Sequence, residues 1–95
     1  MDIRYYEDPE TGEPQIYEHG VSEDEVEYVL RYAVEDRPGR DDSRHAIGQT
    51  VSGRCLRVIY VRDPGADSIF VVTAYDLRGK ELQAYRRRRR RRKGQ

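Results

Sequence analysis

The apolar residues of this chain fall into discrete segments, and the spacing inside each segment predicts a different element. Val26, Val29, Leu30 and Ala33 recur at intervals of three and four, which lines them along one helical face while Glu23, Asp24 and Glu27 occupy the other. Ser22 and Glu25 stand at the spacing of a capping box, and Val21 and Val26 at that of its hydrophobic staple, so a helix over 23–33 is predicted. Three runs rich in β-branched and aromatic residues follow at 44–50, 54–62 and 68–75. The spacers between them, Ser52-Gly53 and Asp63-Pro64-Gly65-Ala66-Asp67, suit hairpin turns, so an antiparallel meander is expected. Positions 69–74 are almost continuously apolar, which places the last strand inside the sheet or under cover on both faces.

The remaining segments are shorter. Ile3, Tyr5 and Tyr6 favour a first strand ending near Glu7, closed by a turn at 8–12, and Pro14 and Gly20 bracket one or two helical turns. Residues 35–42 are read as a break, because Pro38 and Gly39 disfavour helix and the charges oppose burial. Positions 80–85 are helix-compatible and could run on into the arginines, although seven like charges in succession would fray such a helix in isolation. The expected fold is a single α+β domain over 1–85, in the order β(α)αβββα, with a small antiparallel sheet and helices packed mainly on one side. Residues 86–95 form an arginine-rich tail that either continues the last helix or is disordered.

Charge changes this picture more than composition does. The net charge is zero, yet residues 1–42 carry 14 acidic and 4 basic side chains and residues 43–95 carry 4 acidic and 14 basic. Most of the basic excess lies in Arg86, Arg87, Arg88, Arg89, Arg90, Arg91, Arg92 and Lys93. Each phosphate neutralised by such a tract releases counterions, so these residues are the candidate nucleic-acid-binding group. The competing reading is a disordered tail that helps solubility or docks on the acidic first half, including the 23–27 helix face. No run approaches the ~20 apolar residues of a membrane span, and the acidic start is unlike a signal peptide, so a cytoplasmic protein is expected. Cys55 is the single cysteine and lies in an apolar run, which fits a core residue and excludes an internal disulfide.

The segments His19-Gly20-Val21-Ser22 before an acidic amphipathic helix, Arg44-His45-Ala46-Ile47-Gly48, the strands over 56–61 and 71–74 and a closing helix with Glu81 and Tyr85 resemble the BrnT-like toxins of the RelE-like superfamily and related small domains. The resemblance covers roughly residues 16–85. It implies a bacterial, metal-independent ribonuclease of a toxin–antitoxin pair, acting on mRNA or ribosome-associated RNA without a cofactor and neutralised by a cognate antitoxin. Arg44 matches an arginine of that family. The chain departs from the pattern where Thr73-Ala74-Tyr75 has a tyrosine in place of an arginine after the final strand's small residues, and in lacking the family's early Trp-Asp and lysine-rich helix.

Metal-free RNA cleavage needs a group to take the 2′-OH proton, one to protonate the leaving 5′ oxygen, and cations for the phosphate. Glu81 and Tyr85 lie four apart on a predicted helix, with Arg78 and Lys80 just before them and Arg44 as a phosphate ligand. These five are the candidate catalytic residues, with His19, His45 and Tyr75 as weaker ones. Each also has a structural reading: Glu81 as a first-turn helix acid, Tyr85 as a core-edge ring, Arg78 and Lys80 as solvated turn charges, His19 as a cap on free carbonyls. His19, His45 and Cys55 match no zinc-ligand spacing, and no phosphate loop or serine-nucleophile motif is present. The second function class is therefore a non-catalytic nucleic-acid- or protein-binding module on the same scaffold.

Overall fold

The computed structural model describes residues 2–65 and 67–93. Strand β1 (Asp2–Tyr5) is followed by a 3-10 turn (Gln15–His19), helix α1 (Glu23–Tyr32), strand β2 (Glu35–Pro38), a short turn (Arg40–Asp42), strands β3 (Ser43–Gln49), β4 (Cys55–Arg62) and β5 (Ser68–Asp76), and helix α2 (Gly79–Lys93). The sheet has the order β1-β5-β4-β3-β2. The α+β class and the β3-β4-β5 antiparallel meander are as the periodicity predicts.

Helix α1 starts where its cap dictates. Glu25 N donates to Ser22 Oγ at 3.2 Å and Ser22 N donates to the Glu25 carboxylate at 3.0 Å, closing the capping box. Its apolar stripe, with Val26 and Val29, packs on Ala46, Leu56, Val58, Val71 and Ala74 of one sheet face to form the main core. Gly48 lets the helix approach, since a Cβ there would stand 3.3 Å from Ala33 Cα. Gly20 closes the 3-10 turn at φ 67°, a left-handed conformation that only glycine adopts without strain. Beside it, Arg54 ties three parts of the chain together. It donates to both Glu25 oxygens, to Asp76 at 2.9 and 3.1 Å and to the Gly20 carbonyl at 2.9 Å.

Three features depart from expectation. First, residues 35–38 of the expected break form strand β2, paired antiparallel to β3. Its charges do not have to be buried bare, because it is an edge strand whose Asp36 accepts from Tyr60 Oη and from Arg44 at 2.6 Å. Second, the sheet is mixed, because β1 pairs in parallel with β5. Third, the helices do not share one side. Tyr85 and Leu82 of α2 pack with Ile47, Cys55 and Leu77 in a second apolar cluster. Ile47 and Cys55 alternate with Gly48 and Leu56, which face α1, so α2 lies across the opposite face. The apolar continuity of β5 follows from its interior position, since Phe70, Val72 and Thr73 on that opposite face are only half-buried.

Candidate functional site

The sheet face opposite α1 gathers charged, imidazole and phenol side chains in two cross-strand rows. Register places Arg37, His45, Ile59 and Thr73 side by side in one row and Glu35, Ile47, Arg57 and Tyr75 in the next. Residues paired across strands project from the same face, so these side chains form a continuous surface. Helix α2 lies on this face, with Tyr85 and Leu82 packed on Ile47 and Arg88 reaching Glu35 of β2, while His45, Ile59 and Thr73 of the first row are half-buried. Arg37, Ile47, Arg57, Leu77, Glu81 and Arg88 line a recess of about 200 Å³ where helix and sheet meet.

Arg57 is the centre of this surface. One guanidinium nitrogen lies 2.9 Å from His45 Nδ1 and the other 3.3 Å from Glu81 Oε1, while its Nε is buried without a partner. Because the guanidinium can only donate, His45 Nδ1 must accept, which puts the imidazole proton on Nε2. The Nε2 side is covered by Gly39, where a Cβ would lie only 2.6 Å away. Burial, then the Arg57 charge, push the His45 pKa below its usual value of 6.5, with Glu81 opposing. His45 is thus a neutral acceptor that fixes the orientation of Arg57. Tyr75 is the direct cross-strand neighbour of Arg57, and the His19 ring stands edge-on to it at 5.9 Å. Gln15, from the same 3-10 turn as His19, accepts from Thr73 Oγ1 at 2.6 Å.

At the β2 end, Glu35 accepts two hydrogen bonds from Arg88, at 2.7 and 3.0 Å, and one from Arg37 at 2.7 Å. Burial opposes ionisation of Glu35, but the bonds from Arg88 and Arg37 outweigh it and hold the carboxyl below its usual range.

The expected site residues divide accordingly. Glu81, His45, His19 and Tyr75 are brought to one face. Arg44 is not among them: it is the partner of Tyr60 in register, on the α1 side of the sheet, and is engaged by Asp36. Tyr85 is 2% exposed inside the second apolar cluster, and burial raises its pKa. Arg78 and Lys80 are exposed where β5 passes into α2. The arginine run continues α2 and is split by helical periodicity. Arg88 and Arg89 are half-buried, while Arg86, Arg87, Arg90 and Arg91 are exposed. Arg92 and Lys93 belong to the helix, but their side chains lie outside the described part. Sequence reasoning missed Arg57 and Arg37. The signal for Arg57 was present, an arginine set between Leu56 and Val58 in an apolar strand, whereas Arg37 was hidden in a segment read as a break.

Among the described residues, no helix is long and apolar enough to cross a membrane and no group of three or more His, Cys, Asp or Glu gathers that could hold a metal ion. Fold and surface define a small α+β domain with one sheet face packed on a helix and the other left partly open under a second, cationic helix. The chain belongs to the DUF4258 family, a domain of unknown function, whose pattern matches residues 14–76. The match takes in His19, His45, Arg57 and Tyr75 and stops before α2, which carries Glu81 and the arginines. No curated protein and no solved structure matches the chain.

Proposed function

We propose that this domain is a toxin-like, metal-independent RNA endonuclease of a bacterial toxin–antitoxin pair, cleaving by attack of the ribose 2′-OH on the adjacent phosphorus. The observation that carries the reading is the Arg57 guanidinium, held by His45 and Glu81 in the recess where α2 meets the sheet, with Tyr75 beside it in register. Its resemblance to BrnT-like toxins supports the same chemistry, and Arg57 supplies the positive charge that Tyr75 lacks relative to that pattern.

In-line attack requires the base and the acid on opposite sides of phosphorus. Adjacent strands are ~4.8 Å apart, so a phosphate accepting from Arg57 and Tyr75 Oη would have Glu81 on one side and His19 on the other. The Glu81 carboxylate takes the 2′-OH proton as the 2′-oxygen bonds to phosphorus. Arg57 and Tyr75 hold the non-bridging oxygens as charge builds on them. The bond to the 5′-oxygen then breaks, and His19 serves as the acid that delivers a proton to that oxygen. The products are a 2′,3′-cyclic phosphate and a free 5′-OH. His45 is a positioning residue, acting through Arg57.

The test is incubation of the full chain with mixed-sequence RNA in chelator, scored for fragments ending in cyclic phosphate. Glu81→Gln and His19→Asn should each lower kcat by roughly 10²- to 10⁴-fold with the thermal midpoint unchanged. RNA binding without cutting, or full activity in the double variant, would overturn the assignment and leave a non-catalytic nucleic-acid-binding module, a reading favoured by Tyr75 standing where the BrnT-like pattern has an arginine.

A further inference from the structure

Beyond the reaction surface, on the other flank of α2, a cavity of about 520 Å³ opens between α1, α2 and the β3–β4 hairpin. Tyr28 and Tyr32 of α1 form one wall, with ring centroids 4.8 Å apart and planes at 49°. Tyr32 is 60% exposed and Val51, at the hairpin tip, is 82% exposed, so a large apolar area is left in water here. Arg89 forms the facing wall one turn beyond the buried Tyr85, and no carboxylate pairs with it among the described residues, whereas the neighbouring Arg88 is engaged by Glu35. Arg86 and Arg90, both exposed, flank it along the helix.

We infer that this cavity is a subsite for one unpaired RNA base and its phosphate, the base lying on the Tyr28 and Tyr32 rings and the phosphate on Arg89. The inference rests on RNA being the ligand, as proposed above, and adds where the strand is held outside the cleavage point. Paired aromatic faces beside an unpaired guanidinium are what single-stranded nucleic acid requires, since any base offers a face to stack and each carries an anion. Continuity supports the same occupant. Glu81 faces the reaction surface and Arg89 faces the cavity from the same helix, so a strand running between them crosses the outer side of α2. That crossing is ~10 Å wide and presents Arg86, Arg87 and Arg90 to the backbone. The acidic side chains nearby, Asp24 and Glu25, line the adjoining hollow at the start of α1 and not the cavity itself.

The experiment measures affinity of the full chain for a 2′-O-methyl single strand without self-complementarity and for a blunt-ended 2′-O-methyl duplex of two strands with a similar total number of phosphates. Neither probe can be cleaved, because the nucleophilic hydroxyl is blocked, so binding is read independently of the proposed reaction. Replacing both tyrosines, Tyr28→Ala with Tyr32→Ala, should weaken the single strand by about 5- to 150-fold and leave the duplex unchanged. The Tyr28→Phe, Tyr32→Phe pair keeps the rings and should retain parental affinity, which separates stacking from damage to α1. Equal losses on both probes, no loss on either, or no single-strand binding by the parent would overturn the subsite and leave the cavity to a protein partner such as an acidic peptide. A chain that binds through the tyrosines without cutting RNA would sink the nuclease reading alone; one that cuts with the tyrosines dispensable would sink the subsite alone.

Discussion

Replacing Tyr85 separates two roles that its position four residues after Glu81 leaves open. The ring is 2% exposed and packs with Ile47, Cys55, Leu77 and Leu82, so it is the main apolar anchor of α2 on the sheet. Truncating a buried aromatic residue to alanine costs about 3–5 kcal/mol, the sum of lost transfer energy and the cavity left behind. Against a total stability of about 5–15 kcal/mol this is a large share, and for a domain of this size it lowers Tm by at least about 12 °C. Tyr85→Phe removes only the hydroxyl and should leave Tm within a few degrees and RNA cleavage at the parental rate. If α2 detaches without global unfolding, Cys55 reports it. The thiol is buried under the same cluster, and burial raises its pKa, so it should resist alkylation in the parent and in Tyr85→Phe and react quickly in Tyr85→Ala. Urea denaturation, alkylation kinetics and cleavage are measured on all three proteins. Loss of cleavage in Tyr85→Phe at unchanged Tm would refute the packing role and return the hydroxyl to the chemistry. An alanine variant as stable and as protected as the parent would refute the account of how α2 is held.

Two further predictions follow from charged groups. His45 has a folded pKa below 6.5, so between that lowered value and 6.5 the unfolded chain binds more protons than the folded one. Stability should therefore fall as pH drops from about 7 to 5, and His45→Gln should flatten that slope; an unchanged slope would show that the imidazole is not held neutral. Glu35 and Asp76 have lowered pKa values, so their contribution is lost only as pH falls below about 5, under the His45 window. Arg54→Met removes the link among Glu25, Asp76 and the Gly20 carbonyl and should cost about 2 kcal/mol in urea unfolding. That is less than for a fully buried pair because the side chain is 30% exposed, and a variant as stable as the parent would show that the link adds nothing.

What the sequence determined by itself is local. The capping box at Ser22 and Glu25, the three- and four-residue spacing of Val26, Val29 and Ala33, and the alternating runs with their turn spacers each act within a few residues, and α1, β3, β4 and β5 stand where they predict. The same holds for Cys55 as a core residue and for the helical register that divides the arginines once α2 forms. Tertiary structure alone decided the rest. Glu35, Asp36 and Arg37 have no strand propensity to speak of, and β2 exists because β3 offers a free edge and because Arg88, Tyr60 and Arg44 reach its carboxylates from distant positions. Adjacent strand residues alternate between faces, so Arg44 and His45 must part, but only the packing decided that His45 takes the α2 side and Arg44 the α1 side. The group of Arg57, His45, Glu81, Tyr75 and His19 likewise joins five separate segments, and no spacing within any one of them encodes a meeting that depends on strand order and on where α2 finds its apolar footing.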